Sequence, residues 1–155
     1  MEAEVWPDPD IDTFVSDHFI PVRLHVKDQA EAYGAASERF GVSWTPTTLI
    51  IDSGGTERHR IEGFLPKKDF LAQLVLGLAH VAFHEKRFGE AEKGFEEVVS
   101  RFPDSDAAPE AQYWAGVSRY KASGDPKALG AIRSAFQKKY ADTVWAKKAS
   151  VWNPA

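Results

Sequence analysis

Apolar residues along this chain follow two rhythms, and the change from one to the other divides it roughly in half. Ile11, Phe14 and Val15 fall at i, i+3 and i+4 behind Trp6-Pro7-Asp8-Pro9, which predicts a short helix from about Pro9 to Asp17 with Asp8 as its N-cap. PVRLHV, residues 21–26, then alternates, with Val22, Leu24 and Val26 on one side and Arg23 and His25 on the other. That spacing predicts a half-buried strand. Residues 28–39 carry helix formers, and Gly41 stands where a C-cap belongs. TTLIID, residues 47–52, is β-branched and almost continuously apolar, the pattern of a strand covered on both faces. Ser53-Gly54-Gly55 supplies a hairpin turn, and Glu57 to Phe64 returns as the partner strand with Ile61 toward the core. Pro66 opens a helix whose apolar positions are Phe70, Leu71, Leu74, Val75 and Leu78.

Beyond that helix the strand signals vanish and alanine becomes frequent. KRFGEAEKGFEEVVSRFPDS and ASGDPKALGAIRSAFQKKYADT share a skeleton in which Phe83 pairs with Tyr120, Ala91 with Ala128, Phe95 with Ile132 and Val99 with Phe136. Each pair is 37 positions apart, close to the repeat length of helical-hairpin arrays. Gly89 and Gly124-Asp125-Pro126 mark the expected turns between paired helices. Two antiparallel helix pairs follow, with a final helix through Trp145 and Trp152 as a cap.

Composition narrows the function classes more than it selects one. The chain has 155 residues, 43% hydrophobic and 27% charged, the balance of a globular protein. Its net charge of −4 and its interspersed lysines and arginines give no basic stripe, so no nucleic-acid partner is expected. There is no cysteine, which removes disulfides, thiolate metal ligands and thiol chemistry from the chain's own repertoire. MEAEVWPDPDID is acidic and interrupted by prolines, unlike a secretory leader. The longest apolar run, residues 70–83, is too short to span a bilayer. The expectation is a cytoplasmic protein with no membrane partner and no cofactor.

The first half resembles the thioredoxin-like family, in its thioredoxin-7-like and DsbD-C-terminal-like branch. MEAEVWPDPDIDTFVSDHFIPVRLHV matches through Met1, Glu2, Val5, Trp6, Asp8, Ile11, Phe14 and Phe19. FGVSWTPTTLIIDSGGTERHRIEGFLPKKDFLAQL matches the remainder, with Thr45-Pro46-Thr47 at the family's cis-proline element and Gly63-Phe64 at the glycine closing its last strand. The second half is similar to divergent tetratricopeptide repeats. Together these imply an α/β thioredoxin-like fold over residues 1–76, incomplete because its first core strand is missing, followed by an all-α tetratricopeptide-like helical repeat region over residues 77–155.

The resemblance also implies what is absent. In relatives the C-x-x-C pair lies a few residues before the position of Met1, so the chain is expected to begin inside the family's first helix. The missing strand would lie between residues 21–26 and 47–52, leaving two rows of backbone groups unpaired at about a kcal/mol or more for each group that is also buried. Strand closure, self-association through the edges to a homo-oligomer, or sticky exposed edges are the possible outcomes. The function implied is that of a relative of thiol–disulfide oxidoreductases without the dithiol, whose helical repeats recruit a protein or peptide partner. A non-catalytic adaptor is the rival reading. No catalytic residue is assigned; Trp44, Thr45 and Pro46 would meet a substrate peptide.

Several other groupings have two readings. Trp44 could stack on a bound peptide or close the core as a loop aromatic. Tyr113, Trp114 and Tyr120 could line a groove on the repeats or pack between helices. His80 and His84 have the i, i+4 spacing of metal ligands but no third ligand, so helix packing is preferred and no metal is assigned. Asp8, Asp10 and Asp12 alternate like a calcium loop without its glycine or terminal glutamate. No serine–histidine–acid grouping and no phosphate-binding glycine loop is present.

Overall fold

A computed structural model describes residues 5–153. The first helix, α1 (Pro9–His18), begins where Asp8 leaves the helical backbone and its side chain accepts from the Asp10 N–H at 3.0 Å. Ile11 is fully buried, and Phe14 and Val15 pack against the same core. α2 (Ala30–Phe40) ends at Gly41, whose φ of 62° suits a residue without Cβ. No residue of α2 is buried. Polar bonds hold it instead: Arg39 donates to the Gly55 carbonyl at 3.2 Å, and Arg60 donates to the carbonyls of Phe40 and Gly41.

β1 (Thr47–Ile51) and β2 (Glu57–Glu62) form an antiparallel pair with Thr48 opposite Ile61 and Ile50 opposite His59. Asp52 organises the turn. Its Oδ1 accepts from the N–H groups of Gly54 and Thr56, both at 2.9 Å, and its Oδ2 accepts from Arg58 at 2.7 Å. The Thr56 bond, with that of Arg58, holds the Asp52 carboxyl below its ordinary value.

Ile50 and Ile61 face α3 (Lys67–His84), a helix buried along most of its circumference from Phe70 to Ala82. It passes residues 76 and 77 without a break, so one helix serves both halves. Its flanks meet β1 and β2, and also α4 (Phe88–Arg101) and α5 (Ala107–Ser123). One core therefore runs from Val5 to Ala115. Small residues set the helix spacing: a Cβ on Gly94 of α4 would stand 2.9 Å from the Ala79 Cβ on α3. α6 (Lys127–Lys138) and α7 (Val144–Ala149) enclose a second cluster around Ile132, Phe136 and Ala149. No helix among the described residues is long and apolar enough to cross a membrane.

Four expectations need correction. Residues 21–26 form no strand: residues 21–25 have no regular structure and 26–29 turn into α2. Ile20 is 94%, Val22 78% and Val26 46% exposed, and among the described residues no strand pairs with this segment. The strand at 47–52 ends at Ile51 and is covered on one face only, leaving Ile51 41% exposed. The turn between α3 and α4 is made by Lys86 at φ 63°, while Gly89 lies inside α4. The last helix stops at Ala149. Trp152 lies beyond it and packs on Tyr113, with ring centroids 5.2 Å apart.

Candidate functional site

Trp44, Thr45 and Pro46 lie on the surface immediately before β1, and the Thr45–Pro46 peptide bond is cis. Two bonds fix this corner. The Thr47 hydroxyl donates to the Trp44 carbonyl at 2.7 Å, and the Gly63 N–H donates to the Pro46 carbonyl at 2.8 Å. Gly63, at φ 83°, lets the chain leave β2 beside Pro46 and brings Phe64 to the same end of the hairpin. Trp44 is 66% exposed and Phe64 52%, so Trp44 does not close the core.

Beside this corner runs an open strand edge. The Pro46–Gly63 bond and the register set the alternation of the ladder: Thr48 bonds with Ile61 and Ile50 with His59. The N–H and C=O groups of Thr47, Leu49 and Ile51 therefore point away from β2, and no described residue bonds to them. β1 carries neither proline nor charge to blunt that edge.

The three aromatic residues considered for a groove do not form one. Trp114 packs between helices against Phe83 and His80, with centroids 5.0 and 5.6 Å away. Tyr113 touches Trp145 and Trp152, whereas Tyr120 sits two turns farther along α5. A groove of about 250 Å³ lies between α4, α5 and α6. Its walls include Val99, Ala115, Gly116, Arg119, Ile132 and Ala135, and it excludes all three aromatic side chains.

The remaining candidates resolve into structural contacts. Asp8 and Asp10 both engage Lys67, at 2.8 and 2.7 Å. His80 bonds Glu110 at 2.9 Å, and among the described residues no group of three or more His, Asp or Glu side chains is placed to hold a metal ion. The sequence reading missed His59. It shares the alternation of Ile61 on β2, and that parity was the available signal that it turns toward α3, where its Nε2 lies 2.7 Å from the Gln73 Oε1.

Residues 1–77 match the family model of a thioredoxin-like domain, which relates this half of the chain to thiol–disulfide oxidoreductases. Comparison with curated proteins and with solved structures found no match.

Proposed function

We propose that the thioredoxin-like domain of residues 1–77 acts here as a protein-binding module that takes an extended segment of its partner along the outer edge of β1, beside Trp44, Thr45 and Pro46. The carrying observation is the edge of Thr47, Leu49 and Ile51, to which no described residue bonds and which is continuous with that exposed corner. An added strand gains main-chain hydrogen bonds, each worth about 0.5–1.5 kcal/mol net. Apolar side chains on the added segment gain contact with Trp44 and Phe64. The helical half, read as tetratricopeptide-like, orients or recruits the partner. Lacking cysteine, the chain's own residues offer no thiolate for a mixed disulfide, so binding rather than electron transfer is their contribution.

A peptide selected on the immobilised chain from a random display library, added to labelled protein, should shift the amide resonances of Thr47, Leu49 and Ile51. Methylating alternate backbone nitrogens of that peptide, or introducing Trp44→Ala, should each weaken binding at least severalfold. Selected peptides that leave those amides unshifted, or that bind equally after either change, would overturn the proposal.

A further inference from the structure

Where the hairpin meets the helices, two histidines are stacked. His59 of β2 and His80 of α3 lie with centroids 5.9 Å apart and planes at 18°. His59 bonds Gln73 of α3, and His80, only 7% exposed, bonds Glu110 of α5. Trp114 of α5 and Phe95 of α4 meet the His80 ring edge to face, and the buried Trp114 indole N–H has no partner. Gly77 completes the seat: a Cβ there would stand 3.2 Å from the His59 Cβ and 2.1 Å from the Ile50 Cδ1.

We infer that this joint is an acid-sensitive latch, in which protonation of His59 loosens the β1–β2 hairpin from α3 while the helices α4 to α6 stay packed. The groups facing His59 divide between the two outcomes. Gln73 on α3, Glu110 on α5 and Glu57 on β2 favour a charged ring, whereas burial and His80 oppose it; β1 presents only the apolar Ile50. Burial is the largest influence, and it holds the His59 imidazole below its ordinary value of 6.5. His84, one turn beyond His80, is lowered as well, by burial and by the charges of Arg58 and His80 against the opposing Asp52.

The direction follows from linkage. An opened hairpin exposes His59, which then takes up its proton at about pH 6.5, while the seated ring takes it up only at lower pH. The open form therefore binds more protons across that interval. Seating is strongest above pH 6.5 and weakens as the pH falls through it. One proton changes the opening equilibrium by at most about tenfold per pH unit. The consequence for the chain is that the hairpin carrying the Trp44–Pro46 corner detaches in acid before the helical half unfolds.

Amide hydrogen exchange of the whole chain at pH 7.5 and 5.5, corrected for intrinsic exchange, tests this without any peptide ligand. Protection at Thr48, Ile50 and Ile61 should fall severalfold at the lower pH, while protection at Phe95 and Val98 holds. His59→Gln should abolish the difference, and His25→Gln, at an exposed position, should preserve it. If His59→Gln fails to fold, titration of the His59 ring in the native protein by NMR decides, with a midpoint below 6.5 expected. Hairpin protection that is independent of pH, an equal loss in His59→Gln, or a His59 midpoint at or above 6.5 would overturn the latch.

Discussion

Adding one methyl group at Gly77 probes the joint between hairpin and helix directly. Its Cβ would fall 2.1 Å from the Ile50 Cδ1 and 3.2 and 3.3 Å from the Cβ and Cδ2 of His59. Ile50 is 4% exposed and has no solvent into which to swing, so the hairpin must move outward. Overpacking of this kind costs about 1–3 kcal/mol. The helix-propensity gain of alanine over glycine returns about 1 kcal/mol. Gly77→Ala should therefore destabilise by up to about 2 kcal/mol, at about 2–4 °C of Tm for each kcal/mol in a chain of this size. Ile50→Val removes the closest atom at a cost of about 0.5–1.5 kcal/mol. In that background Gly77→Ala should become neutral or stabilising, a coupling on the order of 1–2 kcal/mol. Urea unfolding of the four proteins, followed by circular dichroism, measures the cycle. If Gly77→Ala stabilises the natural protein, or its effect is the same in both backgrounds, the close seating of hairpin on α3 is refuted.

Two further outcomes concern chemistry and assembly. The purified chain should not reduce insulin disulfides above the uncatalysed rate, because no residue supplies a thiolate; turnover in a contaminant-free preparation, followed by turbidity, would refute this. At high micromolar concentration the chain should self-associate through the β1 edge, and Ile51→Lys, placing a charge on that exposed rim, should reduce the association; sedimentation equilibrium showing one monomeric species for both proteins would count against it.

Elements defined by local spacing were legible in the sequence. Of the four pairs set 37 positions apart, Ala91 with Ala128 and Phe95 with Ile132 are buried, on α4 and α6 respectively, whereas Phe83, Val99 and Tyr120 are only partly so. Asp8 and Gly41 cap the helices at the positions their chemistry suggested. What escaped was non-local or statistical. His59, Gln73, His80 and Glu110 come from β2, α3 and α5, and nothing in any one segment joins them. Lys86 adopts a positive φ that propensity assigns to glycine, so the nearby Gly89 attracted the turn. The aromatic residues of α5 were ambiguous because packing and groove-lining use the same side chains at the same spacing.

Residues 21–26 and the open edge of β1 express one physical circumstance. Alternation of apolar and polar residues describes a segment that can become a strand, but a strand exists only when another backbone accepts its hydrogen bonds and a layer covers its apolar side. PVRLHV has the alternation but pairs with no strand among the described residues, so Val22 faces water and the chain turns at His25 and Gln29. TTLII meets the conditions on one side through β2 and α3, and among the described residues it has no neighbouring strand on the other. Its outward N–H and C=O groups, bonded by no described residue, escape the penalty of buried unpaired groups where water reaches them. Each therefore loses water when a partner strand arrives, which holds its net gain to about 0.5–1.5 kcal/mol. In the proposed mode of binding, affinity at this edge comes largely from side chains at the corner, where the exposed rings of Trp44 and Phe64 are in position to supply it.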